Sequence, residues 1–211
     1  MSGIVLALAG RTTTAPVPVV GSVLGGGFFA GQVNIGGIIY NLIIGPNSSA
    51  YHGSKQWKTA NTDSPGTYSV VDGASNTASM NNASHPAALF CTGVTAGGFS
   101  DWYMPANNEV EICYYNLKPT TDVNWTGGAV YGYNGNSVPL RAGPYTSGNP
   151  AQTSASAFIA GQAEEFFPTD YWCSYQQTNQ RGWYLKFNNG RQYYTDKTYS
   201  RAVRATRKVL A

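Results

Sequence analysis

His52 and His85 are the only imidazoles in 211 residues, so proton chemistry near neutral pH would have to use one of them or a perturbed carboxylate or thiol. Ser54 follows His52 closely and Cys91 follows His85, and either pair is conceivable as a nucleophile–base dyad. Neither stands in a G-x-S-x-G elbow or an ordered His/Asp context, and His85 precedes Pro86 in what reads as a loop. Glu109 and Glu111 differ by two on an expected helix, so they point to different sides and cannot form a paired-carboxylate site. Glu164 and Glu165 are adjacent and expected to be solvated. Asp101, Asn107, Asn108, Glu109 and Glu111 could offer oxygens to calcium, but capping of a helix explains them more cheaply. The chain therefore reads as a non-enzyme with no cofactor and no metal.

Binding is the chemistry left, and the composition favours it. Charged residues make up only 11% of the chain, while there are 25 Gly and 15 Tyr, so the surface must be built from amide, hydroxyl and phenol groups. Rigid Tyr anchors among adaptable Asn, Gly and Ser are also the chemistry of paratopes. With 42% hydrophobic residues the chain is not a disordered one. From Arg181 onward eight bases face the single acid Asp196, a balance of +7, whereas five bases and nine acids precede them. These bases are interleaved singly among Tyr, Thr and Val, which fits an anionic glycan or a partner subunit at least as well as nucleic acid. No nucleic-acid binding is expected. Cys91, Cys113 and Cys173 include no CxxC pair and are expected as buried thiols.

The elements that must position these groups start at about residue 25. Residues 1–24 read as an extended arm: an apolar run over 4–9, expected as a strand docking on another subunit, then a Thr/Pro spacer with Pro16 and Pro18. The apolar run is too short for a membrane span and has no base ahead of it, which argues against a signal peptide. Gln32–Ile35 and Ile38–Ile44 flank Gly36-Gly37 as a hairpin. A short helix is expected near Ser75–Met80, and a weaker one over Ser154–Gly161. The strongest helix spans Pro105–Leu117, with Asn107 or Asn108 as cap and Val110, Cys113, Tyr114 and Leu117 toward the core. After Tyr171 the period becomes two: Trp183, Leu185 and Phe187 alternate with Tyr184 and Lys186 before an Asn188-Asn189-Gly190 turn. A last strand runs from Tyr199 to Arg207.

Three ordered motifs are distinctive. Gly97-Gly98-Phe99-Ser100-Asp101-Trp102-Tyr103-Met104-Pro105 is followed by Glu109 in a helix; then come Tyr171-Trp172-Cys173-Ser174 and Gly182-Trp183-Tyr184-Leu185-Lys186-Phe187-Asn188-Asn189-Gly190; last is Val203-Arg204-Ala205-Thr206-Arg207. This order resembles the C-terminal domain of the Legionella collagen-like adhesin, the DUF1566 family, over roughly residues 85–208. Cys173 stands where Ser is usual and Met104 where Leu is. The resemblance implies an α+β, β-rich, C-type-lectin-like fold with a short extended N-terminal arm, and the settings of bacterial adhesins and phage virion proteins. The Gly-rich opening of the body is similar to cyanophage structural proteins. The calcium triplets of sugar-binding C-type lectins, Glu-Pro-Asn or Gln-Pro-Asp with a later Trp-Asn-Asp, do not occur here. Physically, Asp101, Trp102, Pro105, Glu109, Trp172, Trp183 and Arg204 read as scaffold: indoles lock loops onto a small sheet, Pro105 sets the turn into the helix, and Arg204 and Arg207 are placed to pair Asp101 or Glu109.

The expected binding surface lies on the final hairpin. If Trp183, Leu185 and Phe187 face inward and Lys186 sits opposite Tyr193, then Tyr184, Lys186, Arg191 and Tyr193 point outward together. Tyr175, Gln176, Asn179 and Arg181 in the preceding loop extend that surface. Such a cluster suits a sugar or a protein; it suits equally a polar sheet edge or a face packed on a sister subunit. The sequence thus points to a bacteriophage virion protein, a tail-fibre or baseplate component touching the host. The alternatives are a purely structural virion subunit, such as a capsid decoration, and a bacterial adhesin. The expected partners are other virion subunits through the arm, a host surface glycan or protein, and a homo-oligomer, a trimer by analogy with fibres.

Overall fold

The computed structural model describes residues 16–128 and 131–211. The apolar run expected as a docking strand lies outside them. The protein is β-rich, with two sheets and a few short helices. In the first sheet the order is β1 (Val23–Leu24), β2 (Gly27–Ile35), β3 (Ile38–Ile44) and, at the far edge, β10 (Thr206–Leu210), while β5 (Ser137–Val138) pairs β2 on the other side. The Gly36-Gly37 hairpin is present with Ile35 opposite Ile38. Val23–Leu24, expected at the end of the arm, are part of this sheet.

The second sheet has the order β4 (Tyr51–Gln56), β9 (Ser200–Arg204), β6 (Asp170–Gln176), β7 (Arg181–Lys186), β8 (Gln192–Asp196). All its pairs are antiparallel except β6 with β9. β9 and β10 are separated by Ala205 alone, so the expected last strand is a single passage that leaves one sheet and enters the other.

Among the described residues four α-helices complete the body: α1 (Asn47–Ala50), α2 (Gly73–Ser79), α3 (Pro86–Thr92) and α4 (Asn107–Leu117). α4 buries Val110, Cys113, Tyr114 and Leu117 as its spacing requires, and also Ile112, Glu109 and Glu111, because it lies between the sheets. Its cap is neither Asn107 nor Asn108. Ala106 occupies that position, and the Glu109 carboxylate accepts the Ala106 backbone N–H at 2.7 Å. Gly31, at a bulge in β2 with φ +139°, lets the helix sit close: a Cβ there would lie 2.5 Å from Asn116 Nδ2 and 2.8 Å from Ile112 Cγ2.

α3 was not expected; it begins on Pro86 and turns Ala87, Ala88 and Cys91 inward. The weaker helix expected over Ser154–Gly161 is only a single 3-10 turn, Ser156–Phe158. One core lies between the sheets around α4, and a second gathers Trp57, Trp102, Trp172 and Tyr184 with α3. The three cysteines are buried, free thiols.

Arg204 ties these layers together, with a partner other than the expected Asp101 or Glu109. Its Nε donates to the Gly45 carbonyl at 2.8 Å, Nη1 to the Glu164 carbonyl at 3.0 Å, and Nη2 to the Glu164 carboxylate at 2.7 Å. Glu164, expected to be solvated, is thus a structural counter-ion. It also accepts the Asn47 N–H at 2.8 Å, and the guanidinium lies over Phe166, 4.7 Å from the ring centroid. Arg207 does take Asp101, in a two-pronged pair of 2.7 and 2.9 Å. Replacing Arg204 by Ala strands a carboxylate and two carbonyls, and a loss of about 3 kcal/mol or more is expected. Urea unfolding measures it as a lower midpoint at unchanged slope.

Candidate functional site

Both histidines are committed to structure. His52 Nδ1 accepts the Ser54 backbone N–H at 3.1 Å, not its hydroxyl, and Cys91 is fully buried with its thiol pushed up by desolvation, so neither expected dyad forms. The sequence reading missed another trio: His85 Nε2 lies 2.8 Å from Ser64 Oγ, and His85 Nδ1 lies 2.9 Å from Asn82 Oδ1. That order resembles a nucleophilic triad, but Ser64 is 4% and His85 5% exposed, too enclosed for a substrate to approach. The trio pins the loop of residues 58–68. Lys197 fastens the same loop from inside, donating to the Thr62 carbonyl (2.8 Å), the Asn179 carbonyl (3.0 Å) and Gln176 Oε1.

This loop accounts for one correction to the expected surface. Gln176 is 2% exposed and is spent on Ser64, Asp63 and Lys197, so it is scaffold. Tyr184 is a second correction: at 5% exposure it packs edge-on against Trp172 within the second core. β7 is an inner strand of its sheet, and its Tyr184 side is covered by the second core, so alternation alone does not free that side. The turn is longer than expected, since the Lys186 N–H reaches the Arg191 carbonyl, and Tyr184, not Lys186, stands opposite Tyr193. Tyr184, Lys186, Arg191 and Tyr193 still share one face, because the displacement is an even number of residues.

That face is a basic–aromatic strip whose groups are largely used within the protein. Arg201 and Lys186 clasp Asp170, Arg201 lies 3.7 Å over the Tyr184 ring, and Arg191 is held between Trp125 (4.4 Å) and Tyr193 (4.9 Å). Arg181, exposed, stands on the other face of β7 with Trp183, opposite Asp196 at 3.7 Å and 5.6 Å from the Tyr194 ring. Asn179 has an exposed side chain beside it.

The opposite side of the same hairpin opens into a cleft of about 360 Å³, lined by Val70, Asn107, Asn108, Tyr131, Tyr133, Tyr175, Trp183 and Gln192. Of the expected ligand-binding residues only Tyr175 is here, stacked on Trp183 at 6.4 Å and 25°. Trp183, expected as core scaffold, is only half-buried and forms the floor with Tyr194 against its edge at 5.4 Å. The far wall is the loop carrying Tyr131 and Tyr133, the latter 46% exposed. Among the described residues no charged side chain lines the cleft.

The wall is built as firmly as the floor. Asn134 Nδ2 donates to the Asn108 carbonyl at 2.9 Å and to the Glu111 carboxylate at 2.5 Å. Asn136 accepts from Asn108 Nδ2 at 2.8 Å and donates to the Asn34 carbonyl at 2.9 Å, and the Tyr131 hydroxyl donates to the Gln192 carbonyl at 3.2 Å. Glu111 is the hub, since Arg141 and the Tyr145 hydroxyl (2.6 Å) meet the same carboxylate. Two polar atoms at the cleft are left without a partner among the described residues: Asn107 Oδ1, on a side chain 7% exposed as a residue, and Trp183 Nε1.

The remaining expected scaffold residues are in place: Trp102 Nε1 donates to the Ala96 carbonyl at 3.3 Å, Trp172 Nε1 to the Lys55 carbonyl at 2.9 Å, and the Pro105 carbonyl accepts the Ser174 N–H at 2.8 Å. Glu109 also accepts from the Tyr103 hydroxyl (2.6 Å) and the Gly73 N–H (3.1 Å). Of the oxygens weighed for calcium, those of Asp101 pair with Arg207, those of Glu109 take these donors and those of Glu111 hold the loop, while Asn107 Oδ1 has no partner among the described residues. No family model matches the chain, and no curated protein matches it.

Replacing Glu111 by Ala frees the aromatic wall while leaving the floor intact. Amide exchange over residues 131–145 is expected to quicken by about tenfold or more, with β6 and β7 unchanged. A second test concerns His85. Burial, then the nearby Lys58 and Lys197 charges, lower its pKa to about 4, against 6.5 for a free imidazole. The unfolded chain therefore takes up this proton first, so stability present above pH 6.5 is lost as pH falls toward 4, by up to about 3 kcal/mol. Glu109, raised to about 7 by burial, acts with the opposite sign as pH rises from 4.5. Thermal melts of the protein and of H85Q across this range separate the two, and parallel pH curves would exclude the assignment to His85.

Proposed function

We propose that this chain is a non-enzymatic recognition domain of a bacteriophage virion, a tail-fibre or baseplate component that reads the host surface through a C-type-lectin-like body. The observation that carries the reading is the cleft: four aromatic side chains and three amides converge on a rigid edge of the second sheet, where no reactive group is placed to do chemistry. Concave sites of this size, apolar with a few fixed polar groups, are where proteins hold ligands. The lectin-like assignment rests on the three ordered motifs, in which Asp101–Arg207 and Pro105–Ser174 tie a loop to a strand, Trp172 ties β6 to β4, and Trp102 holds the Ala96 turn.

Attachment to the particle and to sister subunits is assigned to the arm and the strands beside it. Val17, Val19 and Val23 are largely exposed there, an apolar group suited to contact with another subunit. A purely architectural role would instead use the basic–aromatic strip against a neighbour. Two double variants at exposed or half-exposed positions distinguish these roles. Tyr133→Ala with Tyr175→Ala is expected to leave assembly intact and to weaken binding to host cells by about tenfold or more. Lys186→Ala with Tyr193→Ala is expected to leave both unchanged. Assembly failure in the second variant, with normal cell binding by the first, would favour the architectural role.

A further inference from the structure

We infer that Lys197 and Gln176 join as an isopeptide: Lys197 Nζ displaces ammonia from the Gln176 side-chain amide, with the Asp63 carboxylate carrying the proton and the Ser64 N–H holding the oxyanion. This is a covalent modification of the chain by itself, separate from the cleft and independent of what the cleft binds.

The reacting groups come from three segments. Gln176 ends β6, Lys197 directly follows β8, and Asp63 and Ser64 lie in the loop of residues 58–68. Lys197 Nζ meets Gln176 Oε1 directly, and the amide carbon lies at most one C=O length, about 1.2 Å, beyond that oxygen. The nitrogen therefore stands within near-attack range of Cδ. The Ser64 backbone N–H donates to the same Oε1 at 2.8 Å, where negative charge develops on addition. His85 holds that residue from the other side, 2.8 Å from Ser64 Oγ. Gln176 Nε2, the leaving nitrogen, donates to Asp63 Oδ1 at 2.6 Å. Lys197 and Gln176 are buried while Asp63 is exposed, so the carboxylate connects the reacting amide to solvent.

An ammonium cannot attack, but a free amine can. Burial, then the neighbouring Lys58 charge, lower Lys197 to about 8, with Asp63 opposing. About one molecule in ten then carries the amine at pH 7. Nζ adds to Cδ and the C=O electron pair moves to Oε1. With both nitrogens on one carbon, a proton passes from Nζ to Asp63 and from Asp63 to Nε2. The Cδ–Nε2 bond breaks, the carbonyl re-forms and ammonia leaves. One amide replaces another, so the step needs no oxidant, reductant or cofactor. It also removes a buried positive charge, and closes a ring around β7 and β8.

Lys118 supplies an internal contrast. Its Nζ also reaches an amide, Asn124 Oδ1, at 2.9 Å. There the amide nitrogen faces only the backbone carbonyls of Thr146, Ser147 and Pro150, so no carboxylate can protonate the leaving group. The competing reading of Lys197 is a buried ammonium held by the Thr62, Asn179 and Gln176 oxygens and never consumed.

Intact-mass measurement on the whole purified chain, followed by proteolysis and sequencing of joined peptides, separates these readings. The parent is expected to be lighter by one ammonia, with the peptides bearing Lys197 and Gln176 linked through their side chains. Lys197→Met is expected to keep its full mass. Asp63→Asn, at an exposed position, is expected to fold as the parent does by circular dichroism and to form the link about a hundredfold more slowly. A parent that keeps its full mass after prolonged incubation overturns the inference. So does loss of ammonia without joined peptides, or a link between Lys118 and Asn124 instead. A folded Asp63→Asn protein that links as fast as the parent overturns the assigned proton transfer.

Discussion

The buried Arg204 guanidinium is the constraint on which the two-sheet arrangement depends. It stands at the end of β9, one residue before the chain passes through Ala205 into the other sheet. Its neighbours come from two distant segments: Gly45, next after β3, and the long loop before β6, which brings Glu164 and the Phe166 ring. Ala205 continues the clasp, donating to the Ala50 carbonyl at 2.8 Å and accepting the Gly45 N–H at 2.9 Å. Burial draws Arg204 down to about 10, so it stays charged near neutral pH. An ion pair this enclosed recovers its desolvation cost only when further hydrogen bonds satisfy the guanidinium. Here two backbone carbonyls do so. The arrangement gains specificity of pairing more than net stability, since only this register brings all the acceptors together.

The same economy explains why the cleft is uncharged. In a chain with 11% charged residues, most ionic groups are drawn into fixed positions: Arg207 with Asp101, Arg141 with Glu111, Lys208 with Asp72, Arg201 and Lys186 with Asp170. Lys197 is held by neutral oxygens and the Trp57 face, 4.5 Å away. What remains to line a concave surface is phenol, indole and amide. Glu111 links the two levels directly, because the carboxylate that buries against α4 also holds the loop bearing Tyr131 and Tyr133.

Local pattern revealed the local elements. The Gly36-Gly37 hairpin, the inward side of α4 and the β7–β8 hairpin were legible because each is a periodicity with a marked turn or stop. The Arg207–Asp101 pair was legible because a motif juxtaposed those residues. Tyr184 was misplaced because a period of two indicates two faces but not which of them is covered, and here the Tyr184 side packs against Trp172 in the second core. Gln176 was misplaced because its partners Ser64 and Lys197 come from other parts of the chain. The Ser154–Gly161 helix failed where small and polar residues offered no apolar side long enough to bury. The cleft was invisible for a related reason: Asn107, Tyr133, Tyr175 and Gln192 belong to four segments joined only by folding. The Tyr-Gly-Tyr at residues 131–133, in a stretch of Gly and Asn, was the one local hint.

The two walls of the cleft differ in how they are held, and this bears on how it can select a ligand. Trp183 and Tyr175 stand on paired strands, so their rings lose little further freedom when a ligand stacks on them. Tyr131 and Tyr133 stand on a loop whose order comes from a few amide hydrogen bonds to α4 and β2, chiefly through Asn134 and Asn136. Floor residues therefore set whether a flat ring is accepted at all, whereas loop residues set which substituents are tolerated around it. Because the loop is anchored by Asn134, Asn136, Glu111 and the Tyr131 hydroxyl, exchange of the exposed Tyr133 alters the wall without loosening it. A recognition site divided in this way can change specificity through the exposed Tyr133 while the Arg204 clasp and the sheet beneath remain untouched.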